Sequence, residues 1–192
     1  MNELKSILFG MLCIGTAINL LGLVATIFAK FQIWPPPKKQ SWQFWLTWIS
    51  FIFLMIGIPI LGILDFGTLG LTHFSRYIIG GGLILFSVPI GLLAIQKLSL
   101  RQTLGLEGKL LTSGIYRYSR NPQYVTHVLL VVAIVLITNS MLVLTVGVFY
   151  SLWFMISPFS EELWLEKQFG RAYEEYCNRV PRFIGFRNLK SK

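Results

Sequence analysis

The chain has 192 residues, of which 54% are hydrophobic and only 13% are charged, and its formal net charge is +9. Charged residues make up about a quarter of an ordinary soluble domain, so this composition excludes that class and predicts a membrane protein. The surplus of Lys and Arg is typical of cytoplasmic loops that face anionic lipid. We therefore expect the basic residues to have the bilayer as their partner, and no nucleic acid.

Five apolar runs are candidates for membrane spans, each of which needs roughly 20 apolar residues. They are Ser6 to Ala29, Trp42 to Leu64, Ser75 to Ile95, Gln123 to Thr138 and Met141 to Pro158. The first run is longer than the apolar core of a signal peptide, so we expect a retained helix. The last two are separated only by Asn139-Ser140, which predicts a tight helical hairpin. The sequence therefore predicts an all-α integral membrane protein with about five transmembrane helices.

The distribution of Lys and Arg predicts the orientation, because positive residues collect on the cytoplasmic side. The first loop, the third loop and the C-terminal segment contain Lys30, Lys38, Lys39, Lys97, Arg101, Lys109, Arg117, Arg120, Lys167, Arg171, Arg179, Arg182, Arg187, Lys190 and Lys192. The opposite side has only Lys5 and Arg76. Five spans then place the N-terminus outside and the C-terminus in the cytoplasm.

Tryptophan and glycine are concentrated in the first three spans and the loop between the first two. Trp34, Trp42, Trp45 and Trp48 flank or follow the stiff run Pro35-Pro36-Pro37, and we interpret them as an interfacial aromatic belt with no chemical role. The glycines of the second and third spans are Gly57, Gly62, Gly80, Gly81, Gly82 and Gly91. Small residues let transmembrane helices approach closely, so we interpret these as packing positions that are also compatible with a homodimer.

The C-terminal segment changes from lipid-facing to amphipathic. Leu165, Phe169, Tyr173 and Tyr176 recur at helical spacing, with charged residues on the other faces. This pattern predicts a cytoplasmic helix from Ser160 to about Arg179, ended by Pro181. We expect one domain, 1–192, with three N-terminal spans in 1–97 and a loop, hairpin and C-terminal helix in 98–192.

The segment from Gly114 to Tyr124 joins a basic, aromatic loop to the start of the fourth span. Asn121 suits the N-cap, where its side chain can accept from a first-turn N–H, and Pro122 suits the first helical position. The free N–H groups and the positive dipole end predict a site for a carboxylate or phosphate. Glu161 and Glu162 end the next apolar run, so an anion site and a cation site should share one membrane face.

Several motifs of this half of the chain occur together in a known superfamily. They are Leu111-Thr112-Ser113-Gly114-Ile115-Tyr116, Ser119-Arg120-Asn121-Pro122-Gln123-Tyr124, Glu161-Glu162 and Phe169-Gly170-Arg171-Ala172-Tyr173-Glu174-Glu175-Tyr176. From Gln102 to Phe186 the chain resembles the isoprenylcysteine carboxyl methyltransferase and phospholipid N-methyltransferase superfamily. The resemblance implies a small integral membrane enzyme that binds S-adenosylmethionine in a cytosol-facing pocket covered by its C-terminal segment.

The resemblance also implies which residues form the cofactor pocket. They are Gln102, Leu110, Leu111, Tyr116, Asn121, Pro122, Gln123, Tyr124, Glu161 and Glu162. The chemistry of the ligand agrees with this set, because a helix start can hold its carboxylate and a glutamate can pair with its ammonium. Tyr116 or Tyr124 could offer an aromatic face to the sulfonium or the adenine. Adjacent residues of a helix face different ways, so we expect one glutamate in the pocket and the other in support.

Three positions depart from the superfamily patterns. Asn121 stands where the isoprenylcysteine branch has His, and Asn-Pro-x-Tyr is the form associated with the phospholipid branch. Ser157 stands where the isoprenylcysteine branch has an Arg that engages the substrate carboxylate. Thr126 stands where a Gly is usual, which puts a close helix or ligand approach there in doubt. The first two departures favour an acceptor other than a prenylcysteine carboxylate.

His127 and Arg120 are the candidate catalytic residues. His127 lies one turn after Tyr124 and is ionisable within a span, which makes it a candidate general base, although a histidine that packs between helices is the more common case. Arg120, like Arg117, could bind a lipid phosphate or simply mark the cytoplasmic side. No metal is implied.

The sequence therefore predicts an S-adenosylmethionine-dependent methyltransferase that acts by in-line displacement on a lipophilic acceptor from the bilayer. The acceptor stays open among an ethanolamine lipid, a lipophilic thiol, a prenylated carboxylate and an isoprenoid-like molecule. Two alternatives remain: a membrane reductase of the sterol reductase type that binds NADPH, and a catalytically inactive, lipid-binding scaffold of the same fold.

Overall fold

The computed structural model describes residues 2–29 and 31–184, and this part of the chain is helical without any strand. The helices are α1 (Asn2–Phe28), α2 (Trp42–Leu64), α3 (Ser75–Lys97), the short α4 (Leu100–Thr103), a 3-10 helix (Gly114–Arg117), α5 (Pro122–Thr138), α6 (Met141–Phe169) and α7 (Arg171–Arg179). The charges predicted at Lys30, Arg187, Lys190 and Lys192 lie outside the described residues.

Four of these helices, α1, α2, α3 and α6, are long and apolar enough to cross a membrane, and α5 is a shorter apolar helix of 17 residues. The predicted all-α, multi-pass fold class is therefore confirmed. The bounds of α2 are those predicted, and the long apolar faces that remain exposed on α1 and α3 are suited to lipid. The chain is an integral membrane protein, whereas its orientation stays a prediction.

The core lies where α1, α2, α5 and α6 meet. α6 packs against α1, α2 and α5, and α3 packs mainly on α5. The buried side chains at the centre are Leu12, Leu23, Leu54, Ile58, Leu61, Val131, Val143, Val146, Tyr150, Trp153 and Phe154. α5 thus lies between α3 and the rest of the bundle, which brings its first turn against residues from several other elements.

Four of the six predicted packing glycines lie at close helix crossings. A Cβ added to Gly57 would lie 2.6 Å from Leu12, and one added to Gly62 would lie 2.6 Å from Thr138. Gly80 meets Ile137 in the same way, so a methyl group at any of these positions would require the facing side chain or the helix to shift. Gly81 and Gly82 have no close neighbour within the described part of the chain, because nothing there lies within 4 Å of an added Cβ, so a packing role for them in a homodimer stays a prediction.

Thr126, the unusual residue of α5, is buried where α5 packs against α3. A glycine on α3 makes room for its side chain. A Cβ added to Gly91 of α3 would lie 3.1 Å from Thr126 Oγ1. The Thr126 hydroxyl itself donates to the Gln123 carbonyl at 2.7 Å. The small residue at this crossing is therefore on α3, and the larger one is on α5.

The predicted hairpin between α5 and α6 is confirmed. Asn139 ends α5 in the left-handed region, with φ 52° and ψ 41°, and the Ser140 hydroxyl accepts from the Val143 N–H at the start of α6. We call this end of the bundle the hairpin end and the opposite one the loop end. The Asn139 side chain also binds the loop before α3, since its Oδ1 accepts from the Leu71 N–H.

Asp65 is buried at the hairpin end and binds groups from three elements. Its carboxylate accepts from Ser140 at 2.7 Å and from the Leu142 N–H at 3.1 Å, and it forms an ion pair with Lys5 at 3.0 Å. Burial alone would raise the pKa of Asp65, but the hydrogen bonds from Ser140, Thr68, Leu142 and Lys5 outweigh it and lower the pKa to about 2. Asp65 therefore fixes the hairpin to α1 and α2.

The predicted boundary between the last span and the C-terminal helix is wrong. The expected break at Pro158 and restart at Ser160 do not occur, because α6 runs without interruption to Phe169. Pro158 removes one backbone donor, but α6 is held through this position by its packing against α1, α2 and α5. The break comes at Gly170, whose φ of 50° suits glycine, and α7 then ends at Arg179 close to the predicted position.

Candidate active site

A cavity of about 400 Å³ lies at the loop end, between the start of α5, the end of α6, α7 and the loops. Its wall contains all twelve residues that the sequence predicts for the site: Gln102, Leu110, Leu111, Tyr116, Arg120, Asn121, Pro122, Gln123, Tyr124, His127, Glu161 and Glu162. The structure therefore brings together residues that are up to 60 positions apart in the chain. Their roles stay predictions.

Glu161 is an acidic residue of the cavity wall that has no ion-pair partner among the described residues. Its Oε1 accepts from Trp34 Nε1 at 2.7 Å and from the Tyr124 hydroxyl. No Lys or Arg of residues 2–29 and 31–184 forms an ion pair with it. The carboxyl group is thus bound by two neutral donors alone within the described part of the chain.

Glu162, by contrast, is neutralised by two arginines. Arg120 lies 2.9 Å from Oε1 and Arg182 lies 2.7 Å from Oε2. The hydrogen bond to Glu162 raises the pKa of Arg182, whose guanidinium also lies 4.1 Å over the ring of Phe159. Glu162 therefore joins the start of α5 to the segment after α7.

The segment after α7 is fastened across the start of α5. The Arg120 N–H donates to the Pro181 carbonyl at 3.0 Å, and Asn121 Nδ2 donates to the Arg182 carbonyl at 2.9 Å. Asn121 is at the N-cap, as predicted, but its side chain does not cap the helix because it binds the C-terminal segment instead. The N–H groups of the first turn, which follows Pro122, therefore lack a side-chain cap and remain available to an anion.

Four buried side-chain atoms in the described part of the chain have no hydrogen-bond partner, and all four belong to residues of this cavity. They are Thr47 Oγ1, Arg120 Nε, Gln123 Nε2 and Gln168 Oε1. A buried polar group without a partner costs roughly 1–3 kcal/mol. This clustering of unpartnered donors and acceptors fits a polar ligand that would bond to them.

The loop between α4 and the 3-10 helix forms one wall. Gln102 Nε2 donates to the Lys109 carbonyl at 2.6 Å, so its amide holds the loop that carries Leu110 and Leu111. Tyr116 is buried on the 3-10 helix, and burial together with the charge of Glu161 raises its pKa well above the usual value. Its hydroxyl is therefore neutral at physiological pH.

Aromatic side chains form the part of the cavity deeper in the bundle. The wall there contains Trp48, Phe51, Met55, Trp153 and Phe154, and Phe51 packs edge-on against Trp48 and Trp153. His127 lies among them, with its ring stacked on Phe154 at 4.5 Å between centroids. We call this group the aromatic end of the cavity.

The interpretation of all four tryptophans as an interfacial belt is wrong for Trp34 and Trp48. Trp34 reaches from the first loop to Glu161, and Trp48 lines the cavity, whereas Trp42 and Trp45 are exposed as an interfacial belt requires. The one local signal that sets Trp34 apart is the stiff Pro35-Pro36-Pro37 run after it, which holds the loop in one course.

Comparison with known proteins gives one match. A family model described as phospholipid methyltransferase matches residues 75–172, about half of the chain. No curated protein and no solved structure matches the chain. The matched range contains all twelve predicted site residues, whereas Trp34, Trp48, Phe51 and Met55 lie before it.

Proposed function

Because the chain belongs to the phospholipid methyltransferase family, we propose that it transfers the methyl group of S-adenosylmethionine to a lipophilic acceptor that enters from the bilayer. The family supports a membrane methyltransferase in general. The cofactor, the acceptor and the residues that bind them are inferred from the cavity.

Glu161 carries the assignment of the cofactor. S-adenosylmethionine has an ammonium group, and Glu161 is an acidic group on the cavity wall without an ion-pair partner in the described part of the chain. The uncapped first turn of α5, next to Asn121, would hold the carboxylate of the same amino-acid moiety. The unpartnered atoms of Gln123 and Gln168 would bond to polar groups of the remainder.

The aromatic end supports a lipophilic acceptor. Its side chains come from α2 and α6, which are apolar membrane helices, so an acceptor with an alkyl chain could reach it from the hydrocarbon layer. Ser157 lines the cavity where a carboxylate-binding Arg would be needed, and its hydroxyl donates to the Trp153 carbonyl of its own helix. An acceptor with a carboxylate would thus lack a cation at that position.

When bound, S-adenosylmethionine would supply an electrophilic methyl group, and the protein has to align it with the acceptor. Glu161 and the start of α5 would hold its amino-acid end, and Leu110 and Leu111, which line the cavity, would contact the rest of the molecule. The aromatic end holds the acceptor and excludes water. Alignment of this kind accounts for a large part of the rate in displacement reactions.

The orientation follows from the same arrangement. Lys38, Lys39, Lys97, Arg101, Lys109, Arg117 and Arg120 belong to the loops at the loop end, and Lys5 and Arg76 lie at the hairpin end. We infer that the loop end is cytoplasmic, which gives the cavity access to a cofactor made in the cytosol. This orientation places the N-terminus outside and α7 in the cytoplasm.

The test is methyl transfer in a defined mixture. Purified protein in mixed micelles with a total phospholipid extract is supplied with S-adenosylmethionine carrying a labelled methyl group, and label is followed in the organic phase. We expect protein-dependent label in lipid that is lost in Glu161→Gln and retained in Glu166→Gln, an exposed position on the same helix. No label above the protein-free mixture, from protein that is folded and binds the cofactor, would contradict transfer to a lipid in this extract.

A further inference from the structure

His127 is held at the aromatic end so that only one of its two nitrogens faces the cavity. Phe154 stacks on the ring with an interplanar angle of 16°, and Phe51 meets it edge-on at 5.4 Å. Nδ1 lies 3.3 Å from the Tyr150 hydroxyl, and the imidazole ring forms no other hydrogen bond within the described ranges. His127 lines the cavity whereas Tyr150 lies behind the wall, which leaves Nε2 on the cavity side.

The Tyr150 hydroxyl has one proton and two neighbours, and their chemistry decides where the proton lies. Met55 Sδ is 3.1 Å away and His127 Nδ1 is 3.3 Å away. A thioether sulfur can only accept, so the shorter contact needs the Tyr150 proton. The hydroxyl oxygen must then accept from His127, which requires a proton on Nδ1. In a neutral imidazole this leaves Nε2 with its lone pair.

We propose that Tyr150 and Met55 hold neutral His127 with the proton on Nδ1, so that Nε2 accepts the proton that the methyl acceptor gives up. This inference rests on the proposed function for the nature of the reaction. Tyr150 touches neither the cofactor nor the acceptor and is a positioning residue, whereas His127 is the base.

The arrangement restricts the acceptor to a group that loses a proton. An amine that is protonated at neutral pH has to be deprotonated before its lone pair can attack, and a thiol reacts as the thiolate. Nε2 of His127 takes this proton. The acceptor's lone pair then forms the bond to the methyl carbon as the carbon–sulfur bond breaks, with its electron pair remaining on sulfur. A carboxylic acid is already ionised at neutral pH and has no use for this base.

The tautomer is measured by nitrogen NMR of protein labelled at its two histidines, without cofactor and at about pH 8, where an ordinary imidazole is neutral. The substitution His73→Gln, at an exposed position, removes the other histidine, so that all remaining imidazole signals come from His127. We expect a protonated Nδ1 and an unprotonated Nε2. Met55→Leu removes the sulfur acceptor, so the Tyr150 proton turns to Nδ1 and the histidine proton moves to Nε2. Tyr118→Phe, which is exposed, should change nothing.

Activity supplies the second measurement, with dioleoyl phosphatidylethanolamine as the amine probe, 1-dodecanethiol as the thiol and oleate as the carboxylate. We expect transfer to the amine or the thiol and not to oleate. His127→Gln should lower kcat by at least about a hundredfold, the lower range for a general base. Met55→Leu should lower kcat about tenfold, with the affinity for S-adenosylmethionine unchanged in both variants.

The two proposals fail in different ways. A protein that binds S-adenosylmethionine but carries the proton on Nε2, or keeps its tautomer in Met55→Leu, overturns the present inference alone. Transfer to oleate, or an unchanged kcat in His127→Gln, does so too. A protein with the expected tautomer that does not bind S-adenosylmethionine overturns the proposed function, and the role of the base with it.

Discussion

The two ends of the helical bundle differ in how their buried polar groups are paired. At the hairpin end, Asp65 accepts hydrogen bonds from several donors and forms an ion pair with Lys5. At the loop end, Glu161 has two neutral donors and no cation among the described residues, which also offer no partner to one buried atom each of Gln123 and Gln168. The two acidic residues therefore differ in what surrounds them.

This difference in pairing predicts which residues affect the stability of the protein and which affect the binding of the cofactor. A buried polar group whose partners are all internal lowers the free energy of the folded state, whereas one without partners raises it until a ligand supplies them. Asp65 should therefore matter for folding and not for the cofactor. Glu161 and the two glutamines should matter for the cofactor and little for folding.

Glu161→Gln should have the largest effect on binding. The change keeps the shape of the side chain but removes the charge opposite the ammonium group, so we expect about a hundredfold weaker binding of S-adenosylmethionine, since hydrogen bonds to charged groups are worth up to about 3 kcal/mol. Calorimetry on the detergent-purified variant measures this loss, and the thermal midpoint should change little. Glu166→Gln is the matched control. Equal affinities in the two variants would contradict the assignment of Glu161.

Asp65→Asn should be the converse variant, with a loss of about 2 kcal/mol in stability and unchanged cofactor affinity. The ion pair with Lys5 is lost, and an amide cannot accept at both oxygens. Unfolding in detergent measures the loss, with Glu3→Gln at an exposed position as the control. A fall in cofactor affinity without a fall in stability would contradict the separation of the two ends.

The pKa of Asp65 predicts the pH range of the same effect. Its folded pKa of about 2 lies below the ordinary value of 3.8, so its contribution to stability is fully present above the ordinary value and is lost as the pH falls through about 2. The thermal midpoint of the wild-type protein should therefore fall over this range by more than that of Asp65→Asn. An equal fall of the thermal midpoint with pH in the two proteins would contradict this prediction.

Trp34→Phe should weaken cofactor binding about tenfold, because it removes one hydrogen bond to a charged group while keeping an aromatic ring. The indole N–H donates to Glu161 at 2.7 Å and lies 3.3 Å from the Tyr124 hydroxyl, so its loss leaves the carboxylate less well oriented. Trp45→Phe, at an exposed position of α2, is the control for a general effect of tryptophan loss. If both variants bind as the wild type does, Trp34 serves only in packing.

Gln168→Met should have the smallest effects, which are a gain in the stability of the ligand-free protein and a loss of cofactor affinity. Replacing an amide whose Oε1 is buried without a partner should stabilise the ligand-free protein by up to about 1 kcal/mol and weaken cofactor binding about threefold. Thermal unfolding with and without S-adenosylmethionine measures both changes. Gln96→Met, at an exposed position of α3, should show neither. Destabilisation of the ligand-free protein would mean that Gln168 already has its partner in the fold.

Local patterns were enough to predict the helices and part of the site. The bounds of α2, the turn at Asn139-Ser140 and the start of α5 at Pro122 follow from apolar length and from capping residues. The end of α6 does not, because a proline within a helix is tolerated where neighbouring helices pack against it, as α1, α2 and α5 do against α6. Periodicity describes one segment at a time and contains no such information.

Contacts between distant segments could not be predicted from the same patterns. Asn121 was expected to cap α5, but the Arg182 carbonyl, 61 residues away, binds its side chain. Trp34 and Glu161 are 127 residues apart, and only the packing of α1, α2 and α6 brings them together. The two glutamates illustrate the limit, because helix geometry predicts that they differ, but only the contacts with Trp34, Arg120 and Arg182 show which of them is paired.

Binding of S-adenosylmethionine to the folded, detergent-purified protein is the most direct test of the account, measured by calorimetry with NADPH titrated into a second sample. We expect saturable binding of S-adenosylmethionine, no heat from NADPH, and a higher thermal midpoint in the presence of S-adenosylmethionine alone. Binding of NADPH instead would indicate a reductase. Binding of neither by a folded sample would indicate a lipid-binding scaffold, and either result would contradict a methyltransferase site at Glu161.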